Sequence, residues 1–163
     1  MLRLHAQSPV DTQQIAQAIA GYVRAGDLLV LAGDMGAGKT YFTQAFSRAL
    51  GVTEPVTSPT FNLLHNYSGG RLRVHHADLY RLERTGELVD LGLTELQESG
   101  GVVIVEWGDI VGDALGDALV VRLCDSENSA STEERTIEIE GRGQQWASRW
   151  DKLRNALGQW RKQ

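Results

Sequence analysis

The chain has 163 residues. That is enough for one ordinary domain, residues 1–163, whose core needs no disulfide or metal staple. Hydrophobic residues make up 42% and charged residues 23%, with a net charge of −5 and a pI of about 5.3. So acidic a balance makes a poor stand-alone nucleic-acid binder, which needs clustered Lys and Arg, but leaves room for membership of a complex that handles nucleic acid.

In chain order, "RLHA" predicts a short edge strand, and Ser8-Pro9 then breaks the chain. Asp11 is placed to cap a helix, with Gln14 in capping-box register. Ile15, Ala16, Ile19, Tyr22 and Val23 form its apolar face, and Gly26 stops it. "DLLVLAG" is a continuous apolar run of the kind buried on both faces of a sheet. "GDMGAGKT" follows, and then a helix, "KTYFTQAFSRAL", closed by Gly51. "VTSPTF" is read as a loop. "NLLHNY" and "RLRVHHA" predict two strands around the turn "SGG". "GELVDLGLTELQES" is helical but interrupted at Gly92, and "GGVVIVEW" is a second strongly buried strand. "DALVVRL" and "RTIEIE" predict an antiparallel pair joined by the polar, exposed "DSENSASTEE". From about Gln144 the chain reads as a helix with Trp146, Trp150, Leu153, Leu157 and Trp160 on one stripe, expected to dock on the core. Arg149, Lys152, Arg154, Arg161 and Lys162 flank it, a local basic patch for tRNA or an acidic partner.

The expected fold class is α/β: a three-layer P-loop NTPase domain with a mixed, mostly parallel central sheet and a C-terminal antiparallel hairpin plus helix. Cys124 is the only cysteine, which fits a reducing cytoplasm. The first residues lack the apolar stretch of a signal peptide, and no apolar run approaches the roughly 20 residues that span a bilayer. A cytoplasmic protein without membrane contact is expected.

Gly33-x4-Gly38-Lys39-Thr40 satisfies the G-x4-G-K-[ST] pattern. Roughly one random chain of this length in 200 would carry it by chance. Glycines let successive backbone N–H groups point at a phosphate chain, and the following helix turns its positive end to the same anion. Gly33, Asp34, Met35, Gly36, Ala37, Gly38, Lys39 and Thr40 are therefore the expected nucleotide cradle. Lys39 would reach the terminal phosphates and Thr40 would coordinate Mg²⁺. Hydrolysis also needs an acid near the metal and the water. Glu106 ends the run "VVIVE", and Asp78 sits just past another strand, both where strand ends face the ligand in this architecture. One would hold the metal shell and the other would orient water. "SPTF", from Ser58 to Phe61, stands where a switch loop senses a γ-phosphate, or is an ordinary turn.

Other classes find less support. No N-K-x-D guanine selector is present, and the D-x-x-G matches at Asp109 and Asp113 are easily chance. A small-molecule kinase would need a lid and an acceptor pocket, to which Arg81 and Arg84 would belong. A nucleotide-sensing module without turnover is the third alternative. His65, His75 and His76 have no zinc-site spacing and read as strand residues, His76 lying near the nucleotide through Asp78.

Together "GDMGAGKT", "SPTF", "HADLYRL" and "VEWGD" resemble, in order and spacing, the TsaE (YjeE) family of small bacterial P-loop ATPases. The resemblance runs from about residue 8 to 123. It implies ATP and Mg²⁺ as cofactors and a part in making N6-threonylcarbamoyladenosine at position 37 of tRNAs that read codons beginning with A. It implies slow ATP hydrolysis in the service of TsaD and TsaB, which carry out the threonylcarbamoyl transfer, with tRNA met at most indirectly. Carried onto this sequence, Gly33 to Thr40 would hold the phosphates and Thr40 and Glu106 would serve the metal. Lys39, Asp78 and Ser58 would be active-site residues, Trp107 would lie at the site, and Thr12 would contact the adenine. Met35, Tyr41, Ala77 and Gly108 depart from the family pattern without removing a chemical group.

Overall fold

The computed structural model describes residues 1–34, 36–57, 64–79, 92–106, 116–125 and 133–161. Among the described residues seven strands form one sheet: β1 (Leu2–Ala6), β2 (Leu28–Ala32), β3 (Leu64–Tyr67), β4 (Val74–Asp78), β5 (Val102–Glu106), β6 (Ala118–Asp125) and β7 (Arg135–Arg142). Among the described residues four α-helices accompany them: α1 (Pro9–Ala20), α2 (Lys39–Ala49), α3 (Leu93–Glu98) and α4 (Trp150–Ala156). The strand order is β1-β7-β6-β2-β5-β4-β3. The central four, β6, β2, β5 and β4, are parallel, while β3, β7 and β1 pair antiparallel. The expected α/β fold with its mixed, mostly parallel sheet and late hairpin is the fold observed.

β2 is buried at every position because apolar cores lie on both its faces. Leu29 and Leu31 join Ile15, Ile19, Phe42, Phe46, Ile104, Trp146 and Leu153 on one side. Leu28 and Val30 join Leu79, Leu93, Val103 and Val105 on the other. Alternation along the strand assigns successive residues to opposite layers, so an unbroken apolar run is what a central strand requires.

Several expected boundaries move. Ser8 takes the N-cap position of α1, not Asp11, and Pro9 opens the first turn, where a missing N–H costs nothing. Asp11 reaches back to accept from the Gln7 amide at 2.9 Å. The helix ends at Ala20 rather than running to Gly26. The carbonyls at its end and just beyond have distant partners: Arg71 donates to Ala20 O and Val23 O, and Arg149 donates to Tyr22 O. The last segment is likewise not one helix from Gln144. Turns lead to α4, and a 3-10 turn at Gly158–Trp160 follows. Its apolar stripe still faces inward, with Trp146, Leu153 and Leu157 buried and Trp150 and Trp160 packed on the core.

Arg149 is not part of a basic surface patch. It is 4% exposed, and its guanidinium grips Asp27 through two hydrogen bonds of 2.6 and 2.9 Å. It also lies over the Trp146 ring, 3.9 Å from the centroid. Lys152, Arg154 and Arg161 are exposed, and Lys162 lies outside the described residues. Gly92, in the left-handed conformation, precedes α3, as the interruption in that helical stretch suggests.

Candidate nucleotide-binding site

β2 delivers the chain to the glycine loop, and α2 carries it away. Gly33, Gly36 and Gly38 have φ of 145°, 83° and 103°, a region side chains avoid. A Cβ on Gly33 would stand 2.5 Å from the Leu123 carbonyl oxygen, so β6 backs the loop closely. At Gly36 and Gly38 a Cβ would meet nothing within 4 Å, so these positions face open space. The Ala37 amide donates to Asp34 O at 3.0 Å, and the Phe42 amide donates to Gly38 O at 2.9 Å, starting the helix ladder. Lys39 is buried, and its ammonium donates to the carbonyls of Gly33 and Asp34 at 2.5 and 3.1 Å. Met35 lies outside the described residues.

Beside the loop stands Glu106, the last residue of β5 and only 2% exposed. Its Oε1 is 3.5 Å from Thr40 Oγ1 and 3.4 Å from Thr43 Oγ1. The Thr43 hydroxyl has one proton to give, and Lys39 O competes for it at 3.0 Å. His76 Nε2 lies 3.2 Å from the same carboxylate oxygen, out of line for a full hydrogen bond. A carboxylate so buried is tolerable only among polar partners, and two hydroxyls and an imidazole supply them.

Asp78 ends β4 in register with Glu106 across the parallel pair. The Leu79 amide donates to Glu106 O at 3.1 Å, tying the two strand ends together. Thr12 is buried in α1, the helix that packs along α2. Ser58, the rest of "SPTF", Trp107, Arg81, Arg84, Asp109 and Asp113 lie outside the described residues. Lys39, Thr40 and Glu106 are thus brought together, with Asp78 on the adjoining strand end.

Three residues of this neighbourhood escaped the sequence reading or were only half seen. Thr43 shares the inward face of α2 with Thr40, a spacing that its position three residues on could have signalled. His76 faces Glu106. Arg135, the first residue of β7, donates from Nε to Ala37 O at 3.0 Å and from Nη2 to Gly36 O at 3.4 Å. An antiparallel strand returning from the carboxyl end of β6 must start beside the loop, which was the available signal.

The donor set suits a magnesium nucleotide. A hydroxyl and a carboxylate oxygen 3.5 Å apart are hard ligands, and Mg²⁺ is held by few protein groups together with phosphate oxygens rather than by an all-protein cage. Among the described residues no group of three or more His, Cys, Asp or Glu could form such a cage. Burial and then Glu138 push the Cys124 thiol pKa up, against the opposing pull of Arg122.

A glycine loop leaving the central strand of a mixed sheet with a parallel centre, with a buried carboxylate ending the neighbouring strand, defines an α/β protein of the phosphate-loop class. Comparison with known proteins narrows the class. Residues 6–137 match the family model "Threonylcarbamoyl adenosine biosynthesis protein TsaE". The chain is 42% identical over 114 residues to the tRNA threonylcarbamoyladenosine biosynthesis protein TsaE of Bacillus subtilis, covering 70% of this chain and 71% of that one. It is 36% identical over 140 residues to the Streptomyces coelicolor protein of the same name, covering 83% and 94%. The crystal structure of Bacillus subtilis YdiB superposes with a TM-score of 0.76 at 31% identity, covering 97% of this chain and 94% of that one. The chain belongs to the TsaE family, as the resemblance of its four motifs suggests. Among the described residues no helix is long and apolar enough to cross a membrane.

Proposed function

We propose that this protein binds ATP·Mg²⁺ and hydrolyses it slowly as a cytoplasmic partner of TsaD and TsaB in forming N6-threonylcarbamoyladenosine on tRNA. The observation that carries this reading is the meeting of Thr40 and Glu106 at the mouth of the glycine loop. Family membership supplies the pathway.

Each residue has a task that its placement supports. Amides of the glycine loop, that of Ala37 excepted because it donates to Asp34 O, bind the phosphate chain together with the positive end of α2. Lys39 exchanges loop carbonyls for phosphate oxygens, its ammonium being already within hydrogen-bond reach of Gly33 O and Asp34 O. Thr40 and Glu106 hold the metal ion, which when bound neutralises charge on the phosphate oxygens. Asp78, at the adjoining strand end, orients the attacking water. Thr43 and His76 line the Glu106 carboxylate. The protein on its own supplies no arginine finger in this reading, so unassisted turnover on the order of 10⁻⁴ to 10⁻² per second is expected.

The test is Glu106→Ala. The variant should still bind nucleotide but lose both phosphate release and support of tRNA modification. A variant that supports modification at the wild-type level would instead mark a nucleotide sensor without turnover.

A further inference from the structure

A phosphate-binding loop needs its amides turned toward the anion, so its carbonyls must turn away and find donors elsewhere. In this loop the carbonyls of Gly33 and Asp34 accept from Lys39. Those of Gly36 and Ala37 accept from Arg135, whose Nε and Nη2 lie 3.4 Å or closer to them. One cation comes from the helix that the loop opens. The other comes from β7, almost a hundred residues further along the chain.

Arg135 is well placed to be rigid. It pairs in register with Asp125 across β6–β7 and with Ala6 across β1. Its Nη1 donates to Glu134 O at 2.9 Å, whereas the Asp125 carboxylate 3.6 Å away is 82% exposed and adds little to the hold. The side chain is 16% exposed. β6 also backs the loop at Gly33 through the Leu123 carbonyl. The β6–β7 hairpin therefore braces the loop from outside at two points.

We propose that Arg135 is a positioning residue that holds the Gly36–Ala37 part of the loop in its anion-binding conformation. This rests on the nucleotide-binding reading above. The guanidinium makes an inward flip of either peptide costly, since a flip would strip a charge-assisted hydrogen bond and aim a carbonyl at phosphate. A lysine cannot reproduce it, because one ammonium lacks the flat fork that meets two neighbouring carbonyls.

The experiment compares wild type, Arg135→Met, Arg135→Lys and the control Asp125→Asn. The probe is ADP·Mg²⁺ by calorimetry, well below each melting temperature, and amide hydrogen exchange is followed at residues 36–40 without nucleotide. Arg135→Met should bind roughly tenfold to hundredfold more weakly, with faster exchange in the loop and unchanged protection in β2 and β5. Arg135→Lys should recover part of the affinity, and Asp125→Asn should bind like wild type. Should Arg135→Met prove unfolded, Arg135→Lys carries the comparison, and its affinity must still fall below that of Asp125→Asn. Wild-type binding with equal affinity and equal loop exchange in the arginine variants would overturn the assignment alone. Failure of the wild type to bind ADP·Mg²⁺ would sink the nucleotide reading and this inference with it.

Discussion

Replacing Asp27 by Asn should cost this protein far more stability than an ordinary polar substitution. Asp27 is 1% exposed and Arg149 4%. The variant leaves a buried guanidinium without its counter-charge, a change that costs about 3–5 kcal/mol. The lower end applies here for two reasons. Arg149 keeps the carbonyls of Tyr22 at 2.8 Å and Gln145 at 3.1 Å, and the Asn oxygen can still accept one bond. A loss of about 3 kcal/mol corresponds to a melting temperature lower by about 6–12 °C for a chain of this size. Urea titration and thermal melts of wild type, Asp27→Asn, Asp27→Leu, Arg149→Met and the Asp27→Leu/Arg149→Met double variant measure this directly. The double variant should recover much of the loss, because an apolar pair of similar volume carries no desolvation penalty. Single variants that lose under about 1 kcal/mol, or a double variant whose loss is the sum of the singles, would refute the reasoning. Nucleotide affinity below the melting range should be unchanged, since the pair anchors the start of β2 and not the loop.

Gly33→Ala places a Cβ 2.5 Å from the Leu123 carbonyl at a φ of 145°. Strain of about 1–3 kcal/mol and a loss of nucleotide binding should follow, visible in melts and in calorimetry. Gly36→Ala, strained only by its φ of 83°, should be the milder of the two, and equal effects would contradict the packing argument. His75 is buried, with Nδ1 2.7 Å from Asn66 Oδ1. Burial, helped by Arg73, lowers its pKa from the ordinary 6.5. The unfolded chain thus takes up the proton first as pH falls. This contribution to stability is present above pH 6.5 and lost as pH falls toward the lowered folded value. Urea midpoints between about pH 7 and 5 should fall more steeply for wild type than for His75→Gln. Parallel curves would rule His75 out as the cause.

The parts of this protein legible in its sequence are those whose signals are local. The apolar runs of β2 and β5 announce central strands because both faces of each are buried. The G-x4-G-K-T spacing announces the loop because the phosphate cradle is built from consecutive backbone groups. Glu106 is legible as a site candidate because a charge ending an apolar strand has to face something polar. What escaped depends on contacts between distant residues. Arg71 takes the last carbonyl of α1, at Ala20, and Arg149 that of Tyr22 just beyond it, contacts that no helical periodicity reveals. Arg149 reads as one cation of an exposed patch until Asp27, 122 residues away, is seen beside it. Arg135 reads as a strand residue until the sheet order brings β7 beside β6 and the loop.

The central claim is that nucleotide turnover here serves a partner complex. The most direct measurement mixes the purified protein with ATP·Mg²⁺, with and without TsaB–TsaD, and follows phosphate release and complex size together. The account predicts weak release alone, nucleotide-dependent association, and a changed rate in the complex. Equal rates with and without the partners and no association would contradict it, and ATP consumed only on addition of a metabolite mixture would point to a small-molecule kinase.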